Sequence, residues 1–186
     1  MTAAPASMPR LTTARLVLRP LSLADAADVQ RLAGDRDIAE TTAAIPHPYP
    51  DGAAETWIAT HPDRYARGES VVFGITRAED GVLLGAIGLE IKAEMQRAEL
   101  GYWIGKPYWN NGYCTEAARA VVRFAFEILG LRRVFANHFG RNAASGRVMH
   151  KAGMRHEGPL RHHSIKWGTI DDMEVYGVLR GDRTVG

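Results

Sequence analysis

The sequence predicts a single domain of the mixed α/β (α+β) class. Its 186 residues are about the length of one domain, and 46% of them are hydrophobic, which suffices for a sizeable core. Short runs of alternating apolar and polar residues are typical of strands, while residues 115–130 repeat apolar side chains at helical spacing. No internal repeat or linker divides the chain. We therefore expect one domain over residues 11–180, between a flexible leader (1–10) and a tail (181–186).

The first third of the chain is predicted to contain one strand and two helices. "RLVLRP", Arg15–Pro20, alternates as a strand does, and Ser22 is suited to cap a helix from Leu23 to Ala33. "ETTAAIPHPYPDG" (residues 40–52) contains three prolines and predicts a loop. A second helix is expected from Ala53 to Arg67.

A hairpin and a further strand follow. Val71–Arg77 and Val82–Lys92 are predicted strands, joined by the turn residues Glu79-Asp80-Gly81, and Ala98–Ile104 forms the next strand. The pattern therefore predicts three consecutive strands in the middle of the chain.

The amphipathic helix is favoured at its start by Thr115 and Glu116, and Gly130 favours its end. After it we expect a strand over Arg133–His138 and a helix over Ala143–Ala152. The remainder, Arg155 to Leu179, is predicted to form two antiparallel strands around the turn Trp167-Gly168.

Composition limits the compartment and the partners. The single cysteine, Cys114, excludes an internal disulfide, and no apolar run approaches the roughly 18 residues that span a membrane. The start, MTAAPASMPR, lacks the apolar region of a secretory signal, so a cytoplasmic protein without a membrane partner is predicted. The net charge of +2 is uneven: Arg119 to Lys166 holds ten Lys/Arg and two acids. That basic part predicts a polyanionic ligand, either nucleic acid or a phosphate-rich cofactor.

The loop between the strand Ala98–Ile104 and the amphipathic helix is suited to an anion. The start of a helix leaves main-chain N–H groups without partners and carries about half a positive charge. Gly112 lets the chain turn and approach a phosphate closely. The motifs GxxxxGK[ST] and GxGxxG are absent, which disfavours nucleoside triphosphates and dinucleotides.

Three segments together resemble the GNAT N-acetyltransferases, and most of all the branch of the ribosomal-protein alanine N-acetyltransferases RimJ and RimL. They are "LTTARLVLRPL", "GYWIGKPYWNNGYCTEAARAVVRFAF" and "NAASGRVMHKAGM", in the family's order. The resemblance covers about residues 11–180. It implies the GNAT fold, a mixed and mostly antiparallel sheet flanked by helices and splayed between its fourth and fifth strands. It also implies acetyl-CoA as co-substrate in that cleft.

The resemblance also assigns cofactor-binding positions. Trp103 and Ile104 would bond the pantetheine through their main chains, and Asn142 matches an Asn that contacts the cofactor. The diphosphate would lie on Asn110, Asn111, Gly112, Tyr113, Cys114 and Thr115. The family signature Q/R-x-x-G-x-G/A is altered at both ends, with Trp109 and Cys114 in place of its first and last residues. Neither change removes a main-chain donor, so phosphate binding is expected to survive.

The catalytic residues are less clearly marked. Many relatives use a tyrosine to protonate the leaving thiolate, and Met149 stands at that position here. Ser145 matches a serine of the RimJ/RimL-like branch, and it would donate to the sulfur instead. Glu90 and Glu99 are candidate bases on neighbouring strands. Glu99 is favoured because strand alternation places it on the same face as Trp103.

The acceptor is predicted to be a primary amine that attacks the thioester directly. "IPHPYP" (residues 45–50) resembles an acceptor-side segment of the RimJ/RimL-like branch, so His47 and Tyr49 are candidate substrate contacts. A protein N-terminal α-amine is one acceptor; polyamines, amino acids and aminoglycosides remain open. No metal site is predicted, because neither HExxH nor a Cys pair accompanies His162 and His163.

Two other classes of function stay open. A non-catalytic acyl-CoA-binding module would account for Met149, and an RNA-binding protein would use the basic part of the chain. We expect no nucleic-acid partner, because Arg141, Arg147 and Lys151 also suit the phosphates of CoA. The sequence does not fix the oligomeric state, and a homodimer remains open.

Overall fold

The computed structural model describes residues 7–182 of the chain. Residues 1–6 of the predicted leader and 183–186 of the predicted tail therefore lie outside the described residues. Of the leader's other residues, Met8 is partly buried and packs against the main core.

Strands and helices follow one another largely in the order that the sequence predicts. In chain order the strands are β1 (Leu11–Thr12), β2 (Leu16–Pro20), β3 (Ser70–Arg77), β4 (Leu83–Lys92), β5 (Arg97–Ile104), β6 (Arg133–Phe139), β7 (Arg155–Lys166) and β8 (Thr169–Leu179). The helices are α1 (Ala26–Ala33), α2 (Arg36–Thr41), α3 (Ala53–Ala59), α4 (His61–Ala66), α5 (Tyr113–Glu127) and α6 (Ala143–Lys151).

The described strands form one sheet in the order β1-β2-β3-β4-β5-β6-β8-β7. Every neighbouring pair is antiparallel except β5 and β6, which are parallel. Those two strands pair only from Arg97 to Glu99 against Arg133 to Phe135, and then separate. β5 and β6 are the predicted fourth and fifth strands, because the short β1 was not predicted. The mixed, splayed sheet is confirmed.

Each face of the sheet has its own core. α5 and α6 cover one face, where Phe73 of β3 meets Phe124 of α5 edge-on at 5.8 Å between ring centroids. On the other face, Val29 of α1 and Ile58 of α3 pack against Ala86 of β4. The cleft between β5 and β6 therefore lies between two separately packed layers.

α5 begins at Tyr113, two residues before the predicted Thr115. Gly112 precedes it with a φ of 77°, a left-handed conformation that glycine adopts without strain. The buried side chains of α5 are small or apolar, among them Ala117, Val121 and Phe124. This face is the apolar pattern from which the helix was predicted, and the glycine determines where the helix starts.

Two predicted helices differ from the structure, and one helix was not predicted. The helix expected over residues 53–67 is two helices, α3 and α4, because Pro62 cannot donate to the preceding turn. α2 was not predicted; the side chain of Asp35 caps it by accepting from Asp37 N at 2.9 Å. The helix predicted from Leu23 begins as a 3-10 turn, Leu23–Asp25, before α1.

Candidate functional site

A cavity of about 930 Å³ opens where β5 and β6 separate. α1, α2 and the following loop line one side, while the loop before α5, α5 itself and α6 line the other. Of the site residues predicted from the sequence, Asn111 and His47 are not part of its lining. The others line it: Tyr49, Glu99, Trp103, Ile104, Asn110, Gly112, Tyr113, Cys114, Thr115, Asn142 and Ser145.

The register of β4 and β5 determines which main-chain groups face the cleft. Gly105 N donates to Leu84 O at 2.8 Å, and in an antiparallel pair every second residue bonds the same neighbour. Trp103, which pairs with Ala86, therefore directs its N–H and C=O toward β4. Ile104 directs its own into the cleft. The predicted main-chain role consequently fits Ile104 and does not fit Trp103, whose side chain lines the cavity instead.

The indole of Trp109 is part of this arrangement. Its Nε1–H donates to the carbonyl oxygen of Ile104 at 2.6 Å. The side chain that replaces the usual Gln or Arg thus ties the end of β5 to the loop before α5. The carbonyl keeps a second lone pair for a ligand.

The anion loop, residues 110–115, has the geometry that the sequence predicts. Asn110 and Gly112 have φ angles of 63° and 77°, and α5 starts directly after them. The N–H groups of Tyr113, Cys114 and Thr115 have no carbonyl one turn earlier to bond, and they lie at the positive end of the helix dipole.

The side chain of Asn111 turns away from the cavity. Its amide donates to the carbonyls of Trp109 and Tyr108 at 2.9 and 3.2 Å. Asn111 therefore shapes the loop rather than lining the site.

Asn142 and Ser145 are placed by the start of α6. The side-chain oxygen of Asn142 accepts from Ser145 N at 3.2 Å, which caps the helix. The hydroxyl of Ser145 lies 2.8 Å from the hydroxyl of Tyr102 on β5. Burial raises the pKa of Tyr102 far above its usual value, so its hydroxyl stays protonated. Met149, at the position of the family's tyrosine, is buried in the main core.

The two candidate bases are direct neighbours, since Glu90 and Glu99 pair across β4 and β5. Glu90 is occupied by Arg64, whose Nη2 lies 2.6 Å from its carboxylate. Glu99 accepts from the side-chain amide of Asn137 at 2.9 Å, a bond that crosses the split between β5 and β6. Among residues 7–182 no cationic side chain forms an ion pair with Glu99, whereas Glu90 is paired with Arg64.

The part of the cavity wall that was predicted to contact the acceptor is mostly apolar. Tyr49, Trp57 and Trp103 pack on the core that α1 and α3 form, and burial raises the pKa of Tyr49. His47 is exposed, with its Nδ1 3.2 Å from Gly34 O. The structure therefore brings Tyr49 into the site and leaves His47 outside it.

The loop on this side is held by a buried lysine. Lys166, at the end of β7, donates to the carbonyl oxygens of Ile45 and Ala43 at 2.6 and 3.4 Å. Both of these loop residues line the cavity. Burial, followed by the nearby Arg141, lowers the pKa of Lys166.

Cys114 is not suited to carry an acyl group. Burial raises the pKa of its thiol, which disfavours the thiolate that would act as nucleophile. Over residues 7–182 no three His, Cys, Asp or Glu side chains gather as a metal site would need. In the same range no helix is long and apolar enough to cross a membrane.

Sequence reasoning missed three contributors to the site: Tyr102, Asn137 and Arg15. Tyr102 lies inside the quoted motif, and its alternation with Ile104 signals that its side chain faces α5 and α6. Asn137 contacts Glu99 through tertiary structure, for which the sequence carries no local signal. Arg15 contacts the anion loop, 96 residues away along the chain.

Comparison with known proteins gives a consistent result. Residues 15–155 match the model of the acetyltransferase (GNAT) domain. The uncharacterized N-acetyltransferase YoaA of Bacillus subtilis is 32% identical over 182 residues, which are 92% of this chain and 97% of YoaA. The [ribosomal protein uS5]-alanine N-acetyltransferase of Escherichia coli is 25% identical over 186 residues, 95% of this chain and 94% of the relative.

A solved structure agrees in fold. RimL, described as a ribosomal L7/L12 α-N-protein acetyltransferase in complex with coenzyme A, superposes with a TM-score of 0.85. The two share 15% sequence identity over 92% of this chain and 98% of that one. At this identity the likeness supports the fold alone.

Proposed function

The chain belongs to the GNAT acetyltransferase family and is an N-acetyltransferase, and on that premise we propose that it transfers the acetyl group of acetyl-CoA to a protein N-terminal α-amine. One observation carries the choice of donor. The edge of β5 that separates from β6 and the first residues of α5 line a single cavity of about 930 Å³. An elongated thioester with a diphosphate fits this sequence of groups.

The cofactor end combines main-chain donors with basic side chains. The amides of Tyr113, Cys114 and Thr115 suit the diphosphate. Arg147 and Lys151 of α6 line the same cavity and add positive charge. Because these basic residues lie at the cavity, they support a phosphate-rich cofactor over RNA.

The pKa of the acceptor decides how strong a base is required. A lysine amine with a pKa near 10.4 is neutral in roughly one molecule in 2,500 at pH 7, whereas an α-amine near 8 is neutral in about a tenth. Deprotonating the α-amine costs about 3 kcal/mol less. A single carboxylate, Glu99, then suffices to take the proton that the attacking nitrogen loses.

Charge stabilisation comes from the split strand. The main-chain N–H groups of Tyr102 and Ile104 face the cleft and can meet the oxygen of the thioester carbonyl as its charge develops. When the C–S bond breaks, the electron pair leaves on the sulfur, and the hydroxyl of Ser145 can donate a hydrogen bond to that thiolate while keeping its own proton. Tyr102 positions that hydroxyl through its own bond to Ser145 Oγ.

The cavity lining also favours an acceptor that carries no positive charge besides the reacting amine. Among the described lining residues only Glu90 and Glu99 carry carboxylates, and Glu90 is bonded to Arg64. A polyamine or aminoglycoside would bring several positive charges to this mostly apolar wall. Support for these small-molecule acceptors is therefore weaker than for a single α-amine, for which the uS5-alanine acetyltransferase provides a related example.

The test is a screen of N-terminal peptides, polyamines, amino acids and aminoglycosides, followed by release of free thiol from acetyl-CoA. We expect turnover with peptides that carry a small uncharged first residue, and loss of turnover when the α-amine is blocked. Turnover only with polyamines or aminoglycosides would contradict the proposed acceptor. Absence of thiol release with every amine, in a protein that binds acetyl-CoA, would contradict the proposed reaction.

A further inference from the structure

Arg15 connects the turn between β1 and β2 to the first turn of α5. Its Nε lies 2.8 Å and its Nη2 2.7 Å from Oε2 of Glu116. The other carboxylate oxygen accepts from Arg15 N at 2.8 Å and from the hydroxyl of Thr13 at 2.6 Å. Four donors from one short turn therefore hold a single carboxylate at the start of the helix.

The same guanidinium also contacts the anion loop. Nη1 of Arg15 donates to the carbonyl oxygen of Asn111 at 3.0 Å, and the guanidinium carbon lies 4.8 Å from the centre of the Tyr113 ring. Asn111 and Tyr113 flank Gly112, whose left-handed φ begins the turn into α5. Arg15 does not belong to the described lining of the cavity, so it holds the loop from outside.

Glu116 creates an electrostatic problem at this place. A carboxylate in the first turn favours the helix, but it also repels a diphosphate bound to the same N–H groups. Burial would raise the pKa of Glu116, and the bonds from Thr13 and Arg15 outweigh that effect, so the pKa lies below its usual value. The group is therefore ionised at neutral pH, and its charge needs compensation.

We propose that Arg15 is a positioning residue for the cofactor, which cancels the charge of Glu116 and fixes the Asn111 carbonyl so that the loop amides stay open to the CoA diphosphate. This inference rests on the proposed use of acetyl-CoA. It assigns to the segment "TTARL" a task in cofactor affinity, although no residue of that segment belongs to the described cavity lining.

The test is calorimetric titration of the whole chain with CoA at 50 mM and 500 mM salt. For Arg15→Met we expect binding about tenfold weaker at the lower salt, because a released carboxylate then faces the diphosphate. The loss should shrink at 500 mM salt, where exposed charges are screened over a few ångströms. It should also shrink in the double variant Arg15→Met/Glu116→Gln, a recovery that a purely structural role of Arg15 would not produce.

The matched control is Arg67→Met, which removes a similar exposed arginine bonded to Glu69, away from the cavity lining. It should bind CoA like the unaltered chain. Equal affinity of Arg15→Met and the unaltered chain would overturn the inference, as would a loss that Glu116→Gln does not reduce. If the unaltered chain itself binds no CoA, the proposed function fails instead.

A second variant covers the case in which Arg15→Met does not fold, as judged by thermal melting. Glu116→Gln alone leaves the charge of Arg15 uncompensated, so CoA should bind severalfold tighter at 50 mM salt. Unchanged or weaker binding by a folded Glu116→Gln chain would overturn the inference.

Discussion

The hydroxyl of Tyr102 lies 2.8 Å from Oγ of Ser145 and 3.1 Å from the carbonyl oxygen of the same residue. Tyr102 is on β5 and Ser145 is in α6, so this contact joins two walls of the cleft where the sheet has separated. A tyrosine hydroxyl has one proton. When it donates to Ser145 Oγ, the serine proton is free to point at a leaving sulfur.

We therefore expect Tyr102→Phe to lower kcat about tenfold, the equivalent of about 1.4 kcal/mol, with KM for acetyl-CoA changed less than twofold. Ser145→Ala should lower kcat at least as much. Because Tyr102 acts through Ser145, the double variant should be no slower than Ser145→Ala. Steady-state kinetics on the three variants decides the matter; additive losses would show that Tyr102 does not act through Ser145.

Glu99→Gln is expected to lower kcat mainly below pH 8, where an α-amine is mostly protonated and needs a base. Glutamine keeps an acceptor for the bond from Asn137, so the sheet should be undisturbed. Glu90→Gln is the matched control. Because Glu90 is already paired with Arg64, this substitution should leave the pH–rate profile nearly unchanged. A pH–rate profile of Glu99→Gln that coincides with the unaltered enzyme would remove Glu99 from the mechanism.

Much of the fold was predictable because local patterns and tertiary structure agree. α5 has a continuous apolar face, and the turns at Gly81 and Gly168 have the left-handed glycines that tight turns need. The break between α3 and α4 was missed although Pro62 signals it, because the apolar spacing continues across it. α2 was missed because six residues give too short a pattern.

The site was predictable only where local main-chain geometry determines the position of its groups. The anion loop follows from Gly112 and the start of a helix, both of which are local features. The contact of Asn137 with Glu99 depends on where two strands diverge, and the contact of Arg15 with Glu116 joins residues 101 positions apart. Strand alternation placed Trp103 correctly on the face of Glu99, but the direction of its main chain required the register with β4.

His61 predicts an acid-sensitive stability. Burial, followed by the charge of Arg64, lowers the pKa of His61 from 6.5 to about 4. Below pH 6.5 the unfolded chain therefore binds a proton that the folded chain refuses, so stability falls as the pH falls toward 4. The contribution is about 3 kcal/mol, at about 1.36 kcal/mol per pKa unit.

Denaturant unfolding of the unaltered chain and of His61→Leu checks this expectation. As the pH falls from 7 to 4.5, the unaltered chain should lose stability relative to the variant. The two side chains also pack differently, but that difference does not change with pH. Parallel pH curves for the two proteins would show that His61 does not titrate in this way.

The absence of a side chain at Gly146 in α6 makes room for His138 and Tyr176. A Cβ at this position would lie 2.7 Å from Nε2 of His138 and 3.2 Å from the hydroxyl of Tyr176. Gly→Ala within a helix usually stabilises by up to about 1 kcal/mol, but here we expect a loss of about 1–3 kcal/mol from overpacking. The loss of stability should be smaller in a His138→Ala background. If Gly146→Ala instead stabilises the fold, as Gly→Ala usually does in a helix, the packing described would be contradicted.

Calorimetric titration with acetyl-CoA, supported by thermal melting, tests whether the cleft that ends at the amides of residues 113–115 binds a CoA thioester. We expect one molecule bound per chain. Ligand at 100 times its dissociation constant should stabilise the fold by about 2.7 kcal/mol, a shift of roughly 5 to 10 °C in Tm for a domain of this size. No heat of binding and no shift in Tm at millimolar acetyl-CoA would contradict the account.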